Sequence, residues 1–314
     1  MLELVNFDIE KDYKNIITPI DPTEEYECID KDNIQTFNSA SRPVLIPLKK
    51  KDGTIKKILF KNEDVRKDHI VLNLINLTYL KLKKAGIIDT NIVTYKVSPL
   101  TKTSGFIEIV DDATTIFNIT ENLGFTLQNY IYEHNPNSTH KDILDRFMKS
   151  TAVYCILSYL LGFGDRHLDN IMIDKSGSLF HIDFSYILGK DPKYNNSKGI
   201  KITPEIINVM GGYNSKNYET FKNYCINIYN SLRMYINIFM NMLLLVADID
   251  EYLTVETIRD ELLTRFEVGE SSLEAALHIN TRIDVSGYTF TDKIIDAIHK
   301  TKKSPIISKL MDYR

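Results

Sequence analysis

Side chains able to do chemistry concentrate in one stretch of the sequence, LGFGDRHLDNIMIDKSGSLFHIDFSYILG, at residues 161–189. One histidine or aspartate in such a loop is usually a polar residue satisfied by its neighbours. Here five groups that bind metals or handle protons stand between short apolar runs: Asp165, His167, Asn170, His181 and Asp183. Five such groups around one short segment indicate a reaction centre.

The same stretch predicts a β-hairpin, because the apolar runs IMI and LFHI flank DKSGS, which has the composition of a turn. An antiparallel hairpin brings the start of its first strand beside the end of its second, where Asn170 and Asp183 stand. An amide oxygen and a carboxylate that converge there suit a Mg²⁺ ion carrying nucleotide phosphates, since Mg²⁺ takes few oxygen ligands from protein. Asp165 and His167 lie just upstream, within reach of an acceptor hydroxyl, so the pattern indicates phosphoryl transfer.

The motif GDRHLDNIMI followed by LFHIDF resembles the catalytic and metal-binding loops of the phosphatidylinositol 3-/4-kinase superfamily, which includes related large protein kinases. The resemblance implies that Asn170 and Asp183 hold Mg²⁺ or Mn²⁺ and that ATP donates the phosphate. It implies that His167 takes the proton of the acceptor hydroxyl or orients it. It also implies that Asp165 orients the acceptor or shares the role of base, and that Arg166 braces the catalytic loop.

Further segments resemble the nucleotide-binding parts of that superfamily. SASRP at 39–43 resembles the phosphate-binding loop, and ILFKNEDVRKD at 58–68 resembles the strand that carries the ATP lysine. Lys61 is then that lysine, held by Glu63 or Asp64, although Lys56 and Lys57 are nearby competitors. TYKV at 94–97 and GFIEIVDDATTI at 105–116 resemble the inner tyrosine strand and the hinge. The ATP-binding residues that the resemblance implies are Ser39, Lys61, Asp64, Asp68, Tyr95, Glu108, Val110, Met172 and Ile182, with Leu59 also against the base.

The segment that follows Asp183 resembles the substrate segment of class III phosphatidylinositol 3-kinases, which implies phosphatidylinositol as the acceptor and its 3-hydroxyl as the position. It lacks the tight basic cluster expected for inositol lipids that are already phosphorylated, and a substrate with one phosphodiester needs fewer cations. Lys193, Lys198 and Lys201 are the candidate lipid contacts, although a solvated loop is an equally good interpretation. DATTI at 112–116 looks more like class I, so the subclass stays open.

The hydrophobic pattern predicts the scaffold for these residues, a small strand-rich lobe followed by a larger helical lobe. Strands are predicted at 44–48 and 55–60 around the hairpin signal Asp52-Gly53, and at 92–97 and 105–110. Helices are predicted at 64–84, ending at Gly86, and at 142–161, 204–210, 217–247, 254–265, 271–280 and 290–300. The fold class is α+β, bilobal and protein-kinase-like. Three parts are predicted: an acidic N-terminal extension with little core (1–36), an N-lobe (37–110) and a C-lobe (111–314).

Composition indicates the compartment and the partners. The formal net charge of the 314 residues is -4, so nothing global points to nucleic acid. The 3 cysteines lie far apart, which is typical of reduced thiols in a cytoplasmic protein. No signal peptide is visible, and the apolar run at 234–247 is too short to span a bilayer.

A basic amphipathic helix is predicted near the C-terminus, where lysines follow an apolar side made of isoleucines at 294, 295 and 298. Such a helix lies on an anionic membrane, although an ordinary docked helix is about as good an interpretation. The partners expected are therefore phosphatidylinositol in membranes, with peripheral membrane contact through this helix, and a possible regulatory protein.

Departures from the superfamily pattern keep two alternatives open, a protein Ser/Thr kinase of the large-kinase branch and a catalytically weak pseudokinase that binds nucleotides or partners. Ser185 stands where the pattern has glycine, and serine reaches some backbone conformations only at a cost. The segment after Lys61 is one residue shorter than usual and lacks a glycine. Nothing before residue 40 is long enough for the lipid-binding and helical domains that precede class III kinases, which predicts a near-minimal kinase.

Overall fold

The computed structural model describes residues 14–38, 41–191 and 200–285. They form two compact units. The sheet unit contains the described residues up to Asn73 together with Thr94–Asp111. The helical unit contains Leu74–Val93 and the described residues from Asp112 onward. The predicted fold class is confirmed, since a strand-rich N-terminal unit precedes a larger helical one.

The sheet unit is built on an antiparallel sheet in the order β1-β2-β4-β5-β7-β6, with β3 paired to β4. Its strands are β1 (Lys14–Ile17), β2 (Glu25–Ile29), β3 (Gln35–Thr36), β4 (Val44–Lys49), β5 (Ile55–Lys61), β6 (Val97–Thr101) and β7 (Ser104–Glu108). A 3-10 turn, Lys31–Asn33, precedes β3.

The β4–β5 hairpin forms where the Asp52-Gly53 signal predicts it. Gly53 takes a φ of 85°, which glycine reaches without steric cost, and the Asp52 carboxylate accepts the Thr54 N–H at 2.9 Å. The register pairs Lys49 with Ile55 next to the turn. Lys61 therefore stands at the far end of a strand whose position the turn fixes.

Two predictions for the sheet unit were wrong. The sequence predicts little core for residues 1–36, yet the described part forms β1 to β3, and Tyr26 and Ile29 pack with Leu48 and Ile58. The strand predicted at 92–97 begins only at Val97. In 92–96, Ile92 and Tyr95 are buried, and the segment bonds to the sheet at its end, where the Lys96 carbonyl accepts the Glu108 N–H at 2.9 Å.

Helix α1 (Arg66–Lys84) matches the helix predicted at 64–84. Gly86 ends it as predicted, with a φ of 68° and a bond from the Ile87 N–H to the Leu82 carbonyl. The boundary between the two units falls within α1, after Asn73.

The helical unit contains seven further helices and a three-stranded antiparallel sheet. The helices are α2 (Leu127–Glu133), α3 (His140–Leu161), α4 (Pro204–Val209), α5 (Lys216–Arg233), α6 (Ile236–Ala247), α7 (Val255–Arg265) and α8 (Ser272–Val285). The strands are β8 (Ala113–Thr115), β9 (Ile171–Asp174) and β10 (Leu179–His181), in the order β10-β9-β8. Helix α2, strand β8 and the π-helix Asn118–Asn122 have no counterpart in the sequence prediction.

The prediction of one long helix at 217–247 was wrong. Helix α5 ends at Arg233, and the axis of α6 is bent by 77° from that of α5. Among the described residues, no single helix is long and apolar enough to cross a bilayer, and the bent α5–α6 pair meets that test by length and composition only. The helix predicted at 290–300 lies outside the described residues.

Helix α3 is the centre of the helical unit, since every residue from Ser150 to Leu161 is buried. It ends at Gly162, as predicted, in a left-handed conformation with φ 57° and ψ 48°. The catalytic-loop segment starts immediately after this end, so the most buried helix of the unit fixes where the loop begins.

Candidate active site

Strands β9 and β10 form the hairpin that the sequence predicts, with Ile173 opposite Leu179 and Ile171 opposite His181. The Asp174 carboxylate folds the turn by accepting the Ser178 N–H at 2.8 Å and the Ser176 hydroxyl at 2.7 Å. Gly177 takes the left-handed backbone, with a φ of 91°. The turn chemistry in DKSGS thus closes the hairpin with its own residues.

Asn170 and Asp183 lie at the open end of this hairpin, on opposite strands. The Ile182 N–H donates to the Asn170 carbonyl at 3.1 Å, which extends the strand pairing one step beyond β10. The buried Asn170 amide nitrogen donates to the Asp165 carbonyl at 2.9 Å. That bond fixes the side-chain amide, so its oxygen is oriented by the loop itself.

Asp183 has a left-handed backbone, with a φ of 61°. One of its carboxylate oxygens, Oδ1, accepts both the Ser185 N–H at 3.2 Å and the Ser185 hydroxyl at 2.7 Å. Ser185 is not among the residues with a positive φ. Serine at the glycine position therefore carries no left-handed strain, and its hydroxyl holds the neighbouring carboxylate.

Arg166 ties the loop to the second strand of the hairpin. Its guanidinium donates to the carbonyls of Gly164 at 2.8 Å, Ile182 at 2.7 Å and Asn170 at 3.4 Å, and also to the carbonyl of Asp183. A planar group with five donors suits this task, because carbonyls on both sides of the open end face one side chain. In the structure Arg166 thus contacts backbone on both sides of the hairpin's open end.

Asp165 and His167 stand together at the start of the loop. Asp165 has a φ of 49°, and its Oδ2 is 3.8 Å from the His167 Nε2. The His167 Nδ1 accepts the Asp169 N–H at 3.2 Å. A neutral His167 therefore carries its proton on Nε2, on the side of Asp165.

A buried histidine supports the hairpin from α3. The His181 Nδ1 lies 3.1 Å from the Ser158 hydroxyl. Burial, with a smaller contribution from the Arg166 charge, holds the pKa of His181 well below its usual value. His181 is thus neutral, and its place in the sequence motif reflects packing beneath the loop.

The residues that follow Asp183 run beside the residues that precede Asp165. The Leu188 N–H donates to the Leu161 carbonyl at 2.7 Å, and the Gly164 N–H donates to the Tyr186 carbonyl at 2.9 Å. Further along, the Asp191 Oδ2 accepts the Asp165 N–H at 3.4 Å and lies 4.0 Å from the Lys201 Nζ. In the sequence, Asp191 is part of the segment after Asp183 that resembles class III kinases, and no role in the site is predicted for it.

The candidate lipid contacts are only partly described. Lys201 is half-buried beside Asp191. Lys193 and Lys198 lie outside the described residues, and so does Ser39 of the candidate phosphate loop.

In the sheet unit, the candidate ATP lysine lies next to one of the two acids proposed for it. The Lys61 Nζ is 2.5 Å from the Glu63 carboxylate. The Asp64 carboxylate instead binds the Arg66 guanidinium at 2.6 Å, which lowers the pKa of Asp64. Asp68 is buried in the first turn of α1.

The candidate hinge residues are anchored in the same unit. The Glu108 carboxylate is 2.8 Å from the Lys56 Nζ and accepts the Lys96 N–H at 2.9 Å. Tyr95 is buried, and Val110 is half-buried at the end of the sheet. Lys56 therefore binds the candidate hinge residue Glu108. This contact leaves Lys61, and not Lys56, as the candidate that binds the ATP phosphates.

The candidate base contacts of the helical unit lie on one face of its hairpin. Met172 is half-exposed between the buried Ile171 and Ile173, and Ile182 is half-exposed beyond β10. Alternation along a strand puts Met172 on the face opposite its buried neighbours.

The donor set at the open end fits a divalent cation bound together with phosphates. The described residues contain no cluster of three or more His, Cys, Asp or Glu side chains arranged for a metal. One amide oxygen from Asn170 and the carboxylate of Asp183 are hard ligands, and an ion of this kind takes its other ligands from phosphate and water.

Comparison with known proteins decides the family. The sequence model described as phosphatidylinositol 3- and 4-kinase matches residues 54–249, which include Lys61 and the whole loop-hairpin region. The chain belongs to the phosphatidylinositol 3- and 4-kinase family. Membership in a kinase family implies ATP and a divalent metal in general terms.

Several relatives of this family member are phosphatidylinositol 3-kinases. Phosphatidylinositol 3-kinase pik3 of Schizosaccharomyces pombe is 34% identical over 300 residues, which cover 92% of this chain and 37% of that protein. Phosphatidylinositol 3-kinase VPS34 of Saccharomyces cerevisiae is 30% identical over 295 residues, which cover 90% and 33%. The VPS34 of Arabidopsis thaliana is 34% identical over 237 residues, which cover 74% and 29%. The chain spans about a third of the length of these curated relatives.

Proposed function

We propose that the protein is a phosphatidylinositol 3-kinase-like phosphotransferase, which transfers the γ-phosphate of ATP to the 3-hydroxyl of phosphatidylinositol. The relatives named above support the lipid and the position. The observation that carries the proposal is the open end of the β9–β10 hairpin. There Arg166 binds the backbone carbonyls of both Asn170 and Asp183, beside Asp165 and His167.

The role of Asn170 and Asp183 is to hold Mg²⁺, or Mn²⁺, which neutralises charge on the phosphates when bound. Asn170 is pre-oriented by its bond to the Asp165 carbonyl, and Asp183 by the two bonds from Ser185. Pre-oriented ligands lower the cost of ordering the site at the moment of reaction.

We propose that Asp165 accepts the proton of the lipid hydroxyl and that His167 orients the acceptor. The tautomer supports this division, because the Nδ1 of His167 already accepts the Asp169 N–H, and the remaining nitrogen carries a proton when the ring is neutral. A protonated nitrogen donates a hydrogen bond and cannot accept one. Arg166 acts on the loop backbone, in keeping with its carbonyl contacts.

The nucleotide contacts proposed are those implied by the family pattern. Lys61 neutralises the ATP phosphates, and Glu63 is the acid that holds it, at 2.5 Å. Because Asp64 binds Arg66, we assign it to fixing the turn before α1, and Asp68 to the start of that helix. Ser39, Tyr95, Glu108, Val110, Met172 and Ile182 complete the proposed ATP site.

The lipid contacts proposed are Lys193, Lys198 and Lys201, and the setting is cytoplasmic with peripheral membrane contact. The 3-kinase names of the relatives do not favour a protein Ser/Thr kinase. The presence of Lys61, Asp165, Asn170 and Asp183 does not favour a pseudokinase. A regulatory protein partner stays a prediction.

The test is a phosphoryl-transfer assay with labelled ATP, Mg²⁺ and vesicles of phosphatidylinositol, with the inositol position of the product determined. Wild type is expected to yield the 3-phosphate, and a serine-containing peptide mixture is expected to stay unlabelled. Asp183→Ala is expected to be inactive, while Glu256→Ala on the exposed side of α7 keeps wild-type activity. Equal label from wild type and Asp183→Ala, or label on peptide alone, would contradict the proposal.

A further inference from the structure

The chain after Asp183 packs directly on the chain that enters the catalytic loop. The Gly189 N–H donates to the Gly162 carbonyl at 3.0 Å, and a Cβ placed on Gly164 would lie 2.0 Å from the Lys190 carbonyl oxygen. No side chain separates the two backbones at that point. A displacement of residues 189–191 is therefore passed to the residue after Gly164, which is Asp165.

Both polar backbone groups of Asp165 are held by side chains. Its carbonyl accepts the Asn170 amide at 2.9 Å, and its N–H donates to the Asp191 carboxylate at 3.4 Å. The residue has a φ of 49°, a left-handed conformation that is uncommon for residues other than glycine, although aspartate adopts it more readily than most. Asn170 and Asp191 hold this backbone from either side, one at its carbonyl and one at its N–H.

Asp191 is a nearly buried carboxylate with a lysine beside it. Its side chain is 7% exposed, and the Lys201 Nζ lies 4.0 Å from its Oδ2. Taking a charged group out of water costs free energy unless a counter-charge or hydrogen bonds compensate its lost hydration. Lys201 supplies such a charge from the other side of the segment 192–199.

We propose that Asp191 is a positioning residue for the phosphoryl transfer: its carboxylate holds the backbone of Asp165 in place, with Lys201 as its counter-ion. The inference rests on the proposed function, and it adds a residue that contacts neither ATP nor lipid. It also gives Lys201 a role inside the protein. The end of the described segment that follows Asp183 is thereby joined to the start of the catalytic loop, so the position of Asp191 sets the position of Asp165.

The experiment compares Asp191→Ala with Asp145→Ala in the full chain. Asp145 serves as the control, because it is also a carboxylate partly removed from solvent, 36% exposed and 2.6 Å from a lysine, Lys149. It lies in the first half of α3 and accepts the Tyr224 hydroxyl, and among the contacts described it binds neither the catalytic loop nor residues 189–191. For both variants, kcat and KM for ATP and for phosphatidylinositol vesicles are measured, together with the midpoint of thermal unfolding.

Asp191→Ala is expected to lower kcat about 10- to 100-fold, because small misplacements of a reacting group have effects of that order. Its KM for ATP is expected to stay within about twofold, since the change removes positioning and not ground-state binding. Asp145→Ala is expected to keep kcat within about twofold while it also lowers thermal stability. Equal kcat values for the two variants, or a change confined to KM, would overturn the inference.

Variants of Lys201 provide a second test, which remains informative if Asp191→Ala does not fold. Lys201→Met is expected to lower kcat about tenfold, and Lys201→Arg, which keeps the charge, to restore most of it. Unchanged kcat in Lys201→Met, with a higher KM for the lipid, would overturn its role as counter-ion and leave Lys201 with the role of lipid contact alone. A wild-type chain without lipid product overturns the proposed function as well, whereas an active wild type beside an unaffected Asp191→Ala overturns this inference alone.

Discussion

The two ends of the β9–β10 hairpin are held by different means. At the turn end, Asp174 accepts bonds from Ser176 and Ser178, so residues within five positions of one another close the turn. At the open end, Arg166 binds backbone carbonyls on both strands. The open end also depends on the chain before Gly164 and after Asp183, which pair with each other.

Because of this difference, stability and catalytic activity are expected to depend on opposite ends of the same hairpin. The turn end is closed by its own residues, and the side chains of Asn135 and Arg146 bind the Lys175 and Ser176 carbonyls from outside. None of these residues is proposed for the reaction, so damage there costs stability and leaves the reacting groups in place. The open end holds Asp165, Asn170 and Asp183 in position through bonds made by Arg166 and Asp191, which belong to the same loop and to the segment after Asp183. Two of these three residues, Asp165 and Asp183, have a left-handed backbone. Damage there therefore costs activity first.

The largest expected effect comes from a matched pair of isosteric changes, Asp183→Asn and Asp174→Asn. Asp183→Asn removes the charge of a metal ligand and is expected to lower kcat at least about a hundredfold, with a change in unfolding free energy below about 1 kcal/mol. Asp174→Asn is expected to keep kcat within about twofold and to lower the free energy of unfolding by about 1 kcal/mol. Steady-state kinetics and urea unfolding of both variants check this.

The comparison fails if the two aspartates give the same pattern. A large kcat loss in Asp174→Asn at full stability would mean that the turn end also positions the reacting groups. Wild-type kcat in Asp183→Asn would remove this residue from the proposed metal site.

Arg166→Lys is the next most damaging change, because an ammonium group cannot reach the carbonyls that the guanidinium fork binds together. We expect kcat to fall about tenfold or more and the free energy of unfolding to fall by about 2 kcal/mol, the scale of hydrogen bonds to a charged group. Kinetics and urea unfolding measure the two losses. Full activity with lysine at 166 would show that positive charge alone suffices and that the fork does not hold the open end.

The same contrast explains what the sequence could predict. Turn residues in DKSGS and Asp52-Gly53 act locally, so both hairpins followed from the sequence, as did the end of α3 at Gly162. The open end could be placed from the hairpin and the family motif. The bond from Asp165 to Asp191 could not, because it joins residues that are distant in sequence and leaves no periodic signal.

The errors have the same physical origin. The strand predicted at 92–97 and the single helix at 217–247 were inferred from apolar residues, and burial does not reveal whether a segment pairs in a sheet or where a helix breaks. Strands β1 to β3 lie in an acidic segment with weak periodicity, and they are fixed by pairing to a neighbouring strand. A short window of sequence does not predict non-local strand pairing of this kind.

A smaller effect tests the serine that replaces the family's glycine. Ser185→Ala removes the hydroxyl bond to Asp183 and keeps the backbone bond, so we expect kcat to fall about two- to fivefold. Ser185→Gly is expected to behave like alanine, since Ser185 has no positive φ that glycine would relieve. Kinetics of both variants check this, and a glycine variant much faster than wild type would show that serine strains the open end.

The smallest expected effect concerns the end of α3 that leads into the catalytic loop, where Tyr159 bonds to His278 at 3.0 Å. The His278 Nε2 also receives the Arg282 Nε at 3.1 Å, and both donors require it to be unprotonated, while Glu267 at 3.0 Å favours the charged ring. Burial is the largest effect and lowers the pKa of His278 below its usual value, against the opposing effect of Glu267 and with a smaller lowering by Arg282.

A lowered pKa in the folded protein means that the unfolded chain takes up the proton first as the pH falls below about 6.5. The free energy of unfolding should therefore decrease on acidification through that range, by at most about 1.4 kcal/mol per pH unit from this residue. Urea unfolding of wild type and His278→Gln between pH 7.5 and 5.5, a range chosen around the ordinary histidine pKa of about 6.5, isolates the contribution, because every other titrating group is shared. We expect the variant to have the shallower dependence. Identical slopes would mean that His278 titrates alike in the folded and unfolded states, and that its bond to Tyr159 does not depend on pH.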